Sequence, residues 1–301
     1  MALVTWAGTV QPVIRLYAGS RVLLIDEYLG RNVNGSFVRT FESSNSGAKF
    51  FGVPRSDSEP LMIEPYDDAV SVLAQLRGHS ELHEVGALVR YYESIRIYRD
   101  WSFGRQAALR TPQRADEKND YLADDASNLG LILSRFRNDS KAKKRLLAEL
   151  QSFMDGVVDF NVLVEGGTVQ LVLEEFDRTI PATRLSDGTL RYLALLAILC
   201  DPSPPRLVCI EEPELGLHPD VLPNIARLMV EASERTQLIV TTHSDVIVDA
   251  LTDYPDAIVV CERAEDGSRM QRLDPEKLKP WLESYRLGQL WSKGEIGGNR
   301  W

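Results

Sequence analysis

A chain of 301 residues, 44% hydrophobic and 26% charged, has the composition of an ordinary globular protein, not a disordered or collagenous one; its length permits one large α/β unit with an insertion. The net charge of −10 disfavours wholesale wrapping of nucleic acid but leaves room for a local basic patch. There is no apolar run of the ~18–20 residues that a membrane span needs, no leader-like opening, and no CxxC spacing among Cys200, Cys209 and Cys261, so the expectation is a cytoplasmic protein without a membrane partner and with reduced core thiols.

Residues 9–63 alternate short apolar stretches, such as Val13 to Tyr17 and Val22 to Ile25, with Gly, Asn and Ser clusters such as Arg31-Asn32-Val33-Asn34-Gly35-Ser36. That pattern predicts antiparallel strands and turns. From Tyr66 to Leu150 the apolar period lengthens, through Val70, Leu73 and Leu76, then Leu129, Ile132, Leu133 and Phe136, then Leu146, Leu147 and Leu150, and predicts helices. Within it, residues 101–119 hold Gly, Pro and mixed charge without a period, as a surface loop of a helical lobe would. Arg96, Arg99, Arg105, Arg110 and Arg114 interleave with Tyr98, Trp101 and Phe103, and Arg135, Arg137, Lys141, Lys143, Lys144 and Arg145 follow at helical spacing. They read either as a DNA-facing stripe or as a solvated helix face with its aromatics turned inward.

The last third predicts strands at 157–163 and 169–176, a helix at 190–199, a strand at 207–210, a helix at 221–233, a strand at 238–242, a helix at 246–251 and a strand at 257–261. Such alternation implies parallel crossovers. The division expected is a β-rich part of a core at 1–63, a helical insertion lobe at 64–155 and the C-terminal half of the core at 156–301.

In Arg206-Leu207-Val208-Cys209-Ile210-Glu211-Glu212-Pro213 a buried strand ends in two acids, at the end of a parallel strand where ligands bind. Paired carboxylates repel unless a cation or proton relieves them, so Mg²⁺ is their natural companion; alone, the pair is equally read as a solvated strand end. Leu185-Ser186-Asp187-Gly188-Thr189 gathers a hydroxyl, a glycine and free N–H groups at a helix N-terminus, which makes either an anion site or a plain cap. Glu214-Leu215-Gly216-Leu217-His218-Pro219 follows the acids, and Leu238-Ile239-Val240-Thr241-Thr242-His243-Ser244 is a second strand ending in a histidine, by itself a structural feature.

In this order, LSDGT, LVCIEEPELGLHP and IVTTHS resemble the signature motif, the Walker B motif with its D-loop, and the H-loop of ABC-type ATPases, in particular the SMC, RecF and OLD-like branch. The resemblance covers residues 184–263; Leu122 to Leu129 and Leu290 to Gly298 are similar to segments of stand-alone bacterial ATPases of that branch. It implies an α/β P-loop NTPase of ABC/SMC-like type, with antiparallel strands and an inserted helical lobe, that binds ATP and Mg²⁺ and hydrolyses ATP as a homodimer with composite sites. By the same resemblance, Glu211 falls at the magnesium-associated acid, Glu212 at the glutamate that polarises the attacking water, and His243 at the γ-phosphate sensor. Ser186, Asp187, Gly188 and Thr189 would face a nucleotide held by the opposite protomer, and His218 would lie in a turn that crosses the interface. Two positions depart from the pattern: Glu211 stands where Asp is usual, and Asp187 replaces a glycine, which adds charge near a phosphate unless its side chain turns away.

No G-x-x-x-x-G-K-[ST] occurs in the sequence, and the nearest phrase, Asn45-Ser46-Gly47-Ala48-Lys49-Phe50, lacks the first glycine and the hydroxyl. Losing about four charge-assisted hydrogen bonds at ~1.5 kcal/mol each would cost ~6 kcal/mol, about four decades of affinity. The expectation is a phosphate loop encoded upstream of Met1; the alternatives are a loop from another chain, or lost turnover. Engines of this class serve DNA repair or phage defence, often with a nuclease or other effector. The competing readings are an inactive scaffold of the same fold and a nucleotide-independent DNA-binding protein.

Overall fold

The computed structural model describes residues 10–18, 22–33, 36–44, 47–50, 61–62, 72–75, 83–99, 101–265 and 267–298, in two compact units, Met1–Ser94 and Ile95–Trp301.

The first unit is an antiparallel meander of β1 (Val10–Ala18), β2 (Val22–Val33), β3 (Ser36–Ser44), β4 (Gly47–Phe50) and β5 (Leu61–Met62), paired in that order. The helices α1 (Val72–Gln75) and α2 (His83–Ser94) follow. The expected strands are present, and β2 runs further than the sequence pattern implies: Arg31 and Asn32 continue the ladder opposite Val38 and Phe37, because cross-strand pairing outweighs weak strand propensity. The phrase nearest to a phosphate loop is no loop at its lysine. Lys49 lies in β4 with Glu42 and Met62 as neighbours across the sheet. Val70 and Leu76 lie outside the described residues.

The second unit begins with β6 (Arg96–Tyr98) and β7 (Gln113–Arg114), followed by α3 (Leu129–Asn138) and α4 (Ser140–Gln151). Then come β8 (Val157–Glu165), β9 (Thr168–Glu175), β10 (Arg178–Pro181) and α5 (Asp187–Leu199). The chain continues through β11 (Leu207–Glu211), α6 (Leu222–Ser233), β12 (Gln237–Thr241) and α7 (Asp245–Ala250). It closes with β13 (Val259–Ala264), β14 (Gly267–Arg272), α8 (Pro275–Leu282) and α9 (Leu287–Ser292). Two sheets flank the core. One is parallel, in the order β12-β11-β6; the other is antiparallel, with β8 along one edge of β9 and β10 and β7 sharing the other.

Between them runs α5, buried at every position from Leu190 to Leu199 and packed against α3, α4 and α6. A helix apolar on all sides belongs inside, and each Leu or Ile it buries contributes ~1.5–3 kcal/mol relative to exposure. Leu129, Ile132, Leu133 and Phe136 of α3 and Leu146 and Leu150 of α4 complete the same core, as their helical spacing predicts.

Three expectations are refined. Residues 101–119 are exposed over most of their length, as a surface loop is, but Phe103, Leu109, Arg110 and Gln113 are buried, around a short 3-10 turn at Ala108–Arg110. The strand expected at 257–261 does not extend the parallel sheet; β13 pairs antiparallel with β14, and β6 supplies the third parallel strand. The cysteines are free, but only Cys200 is buried, Cys209 being half-buried and Cys261 exposed. Among the described residues no helix is long and apolar enough to cross a membrane.

Candidate functional site

The parallel pairing of β11 with β12 sets Glu211 opposite Thr241, so both strands deliver their C-terminal residues to one place. The Glu212 amide then donates to the Thr241 carbonyl at 2.9 Å. Glu212 has φ of +43°, a left-handed backbone that costs a non-glycine residue about 1–2 kcal/mol and turns the chain out of the sheet. Its Oε1 lies 3.5 Å from Nε2 of His243, with both side chains open to solvent. Glu211 is exposed at the end of its strand. Among the described residues no three His, Cys, Asp or Glu side chains form a metal cage. The donor set fits magnesium, which is held by one or two carboxylates together with phosphate oxygens and water.

The serine-led turn lies at the head of α5. Ser186 caps the helix by accepting from the Thr189 amide at 3.0 Å, and its hydroxyl is 2.8 Å from that of Thr189. Asp187 is turned onto Arg110, which resolves the charge that the sequence places near this turn. The Arg110 guanidinium is buried and also donates to the carbonyls of Phe103, Gly104, Ala182 and Leu185 at 2.7–3.2 Å. A Cβ on Gly188 would stand 3.1 Å from the Gly216 carbonyl, so glycine lets the turn close on the segment that follows the acids. Gly216 has φ of +72°, the region that favours glycine. His218 caps the short 3-10 turn at Pro219–Val221. With Ser186, Gly188, Thr189, Tyr192 and Phe153 it lines one cleft of about 570 Å³.

The sequence-expected residues therefore gather in two groups, Glu211, Glu212 and His243 in one and Ser186, Gly188, Thr189 and His218 in the other. Arg191 of α5 joins them. Its Nη2 is 3.4 Å from the Glu212 carbonyl oxygen, and its guanidinium packs over the rings of Trp101 and Phe103. Burial lowers the Arg191 pKa, while the charges of Glu214 and Glu212 act the other way. Sequence reasoning gives Arg191 no part and reads Arg110 only within the arginine stripe and Glu214 only within the turn after the acids; the one signal for Arg191 is an arginine inside the otherwise apolar run that follows Leu190.

The arginine-rich stretches are largely engaged. Arg135 pairs with Asp201, Lys143 with Asp159, Arg145 with Glu231 and Arg114 with Asp116, while Tyr98 and Phe103 are buried. A second cleft, of about 480 Å³, runs along β12; Leu238, Val240 and His243 line it on one side, and Val259 and Val260 on the other.

Residues 40–249 match the family described as "AAA domain, putative AbiEii toxin, Type IV TA system". No curated protein matches. Among solved structures, the chain is similar to one from work on ATP-driven dimerization and DNA-stimulated activation of SMC ATPases, at 17% identity and a TM-score of 0.38, over 52% of this chain and 95% of that one. It is also similar to an SMC head bound to the C-winged helix domain of ScpA, at 13% identity and a TM-score of 0.44, over 84% and 75% of the two chains. For an SMC head domain from Thermotoga maritima the values are 13% and 0.35, over 83% and 74%.

Proposed function

Because the chain belongs to this AAA-domain family, we propose that it is an ABC/SMC-like ATP-hydrolysing subunit that works as a homodimer with shared sites. The observation that carries the reading is the meeting of the Glu212 carboxylate and the His243 imidazole, 3.5 Å apart, at the carboxyl ends of two paired parallel strands. There Glu212 holds and polarises the attacking water as a general base, and His243 faces the terminal phosphate beside it. Ser186, Gly188 and Thr189 present a hydroxyl and the helix N-terminus to the triphosphate of the opposite protomer, with Asp187 withdrawn onto Arg110. His218, in the same cleft, sits on the face that the second copy covers. Magnesium, held by Glu211 and phosphate oxygens, would offset the charge that develops on the transferred group. The sequence carries no G-x-x-x-x-G-K-[ST] phosphate loop, so nucleotide affinity is what this reading stakes on the measurement below. A nuclease, another effector protein or DNA would respond to opening and closing of the dimer.

The test is ATP turnover by the full-length protein. Glu212→Gln should lower kcat by roughly 10²–10⁴-fold and trap an ATP-dependent dimer by sedimentation, and Ser186→Arg should abolish that dimer. Equal, negligible rates in wild type and Glu212→Gln would make the chain an interaction scaffold instead.

A further inference from the structure

Glu214 lies two residues beyond the strained Glu212, in the turn that leads to α6. Pairing of β11 with β12 stops at Glu211 and Thr241, and the Glu212 amide adds one more bond to the Thr241 carbonyl. Beyond it, Glu214 Oε1 continues the junction, accepting from the Thr242 hydroxyl at 2.8 Å and from the His243 amide at 2.7 Å. Thr242 Oγ1 accepts in turn from the Ser244 amide at 3.0 Å, and Ser244 caps α7. One carboxylate oxygen thus ties the turn after the acids to the histidine and to the helix behind it. Its other oxygen, Oε2, is buried without a hydrogen-bond partner, as is Nε of Arg191, and the Arg191 charge balances it through space.

We propose that Glu214 is a positioning residue, holding His243 in register with Glu212 through its bonds to the Thr242 hydroxyl and the His243 amide. The inference rests on the hydrolytic reading of Glu212 and His243, and its test separates the two. With [¹³C]histidine-labelled full-length protein at fixed pH, His243 is assigned by the signal lost in His243→Gln. Glu212→Gln should displace that signal in the wild-type background and leave it in place in a Glu214→Ala background. An equal displacement in both overturns the proposal, whether or not ATP is hydrolysed. For turnover, Glu214→Ala should lower kcat by roughly 10–100-fold, the range a small misplacement of a catalytic group produces, with KM for ATP within about twofold. Glu214→Gln, whose carboxamide oxygen still accepts both bonds, should recover most of that loss and guards against a variant that fails to fold. If Glu214→Ala turns over at the wild-type rate while Glu212→Gln does not, the proposal falls and the hydrolytic reading stands.

Discussion

Single residues in this protein hold several segments at once, and Arg110 is the clearest case. Its buried guanidinium serves four backbone carbonyls, two of them more than 70 residues distant, and the Asp187 carboxylate. Removing it leaves the buried carbonyls among them without their donor, so Arg110→Gln should destabilise the fold by about 1–3 kcal/mol, as stranding buried acceptors does. Asp187→Asn acts at the exposed end of the same pair and should shift the urea midpoint far less; equal shifts would contradict the hub. Sequence reading singles out Glu212 and His243 because each follows an apolar run at a strand end, and only the motif resemblance lends them a role. It cannot find Arg110, because the carbonyls it binds belong to the backbone and leave no mark in residue type.

At the scale of elements, legibility follows length and environment. The helices α3 and α4 announce themselves by period, and β8 and β9 by alternation. β6, β7 and β10 are two to four residues long, too short to show any period. The helix α5 shows little period because every face is buried, and the apolar run of β13 does not reveal that its neighbour, β14, is antiparallel. The interior position of α5 has a consequence for pH. Burial raises the pKa of Cys200, its cap residue, from 9.0 to about 12, and that of Tyr192 from 10.0 to about 12. Both groups stay neutral in the fold and ionise earlier when unfolded, so their contribution is complete below about pH 9 and is lost as pH rises toward 12. Denaturant titrations should show stability falling across that window, and Cys200→Ala should flatten the fall; an unchanged slope would place the ionisation elsewhere.

For the whole molecule, the net charge of −10 coexists with cations spent on internal partners. Reversing Lys143, Lys144 and Arg145 to Glu would set like charges against Asp159 and Glu231, which now pair with the first and last of them. The melting temperature should therefore drop. If it holds while salt-dependent DNA affinity disappears, those residues serve nucleic acid. The parallel sheet ends at β12, which among the described residues has no neighbour on its outer side, and the furrow beyond it is apolar. Backbone amides and carbonyls along such a rim invite any extended polypeptide to zip on. Until that flank is sheathed, a preparation of the chain by itself is exposed to clumping edge against edge, and its shelf life is set by whatever covers those few residues.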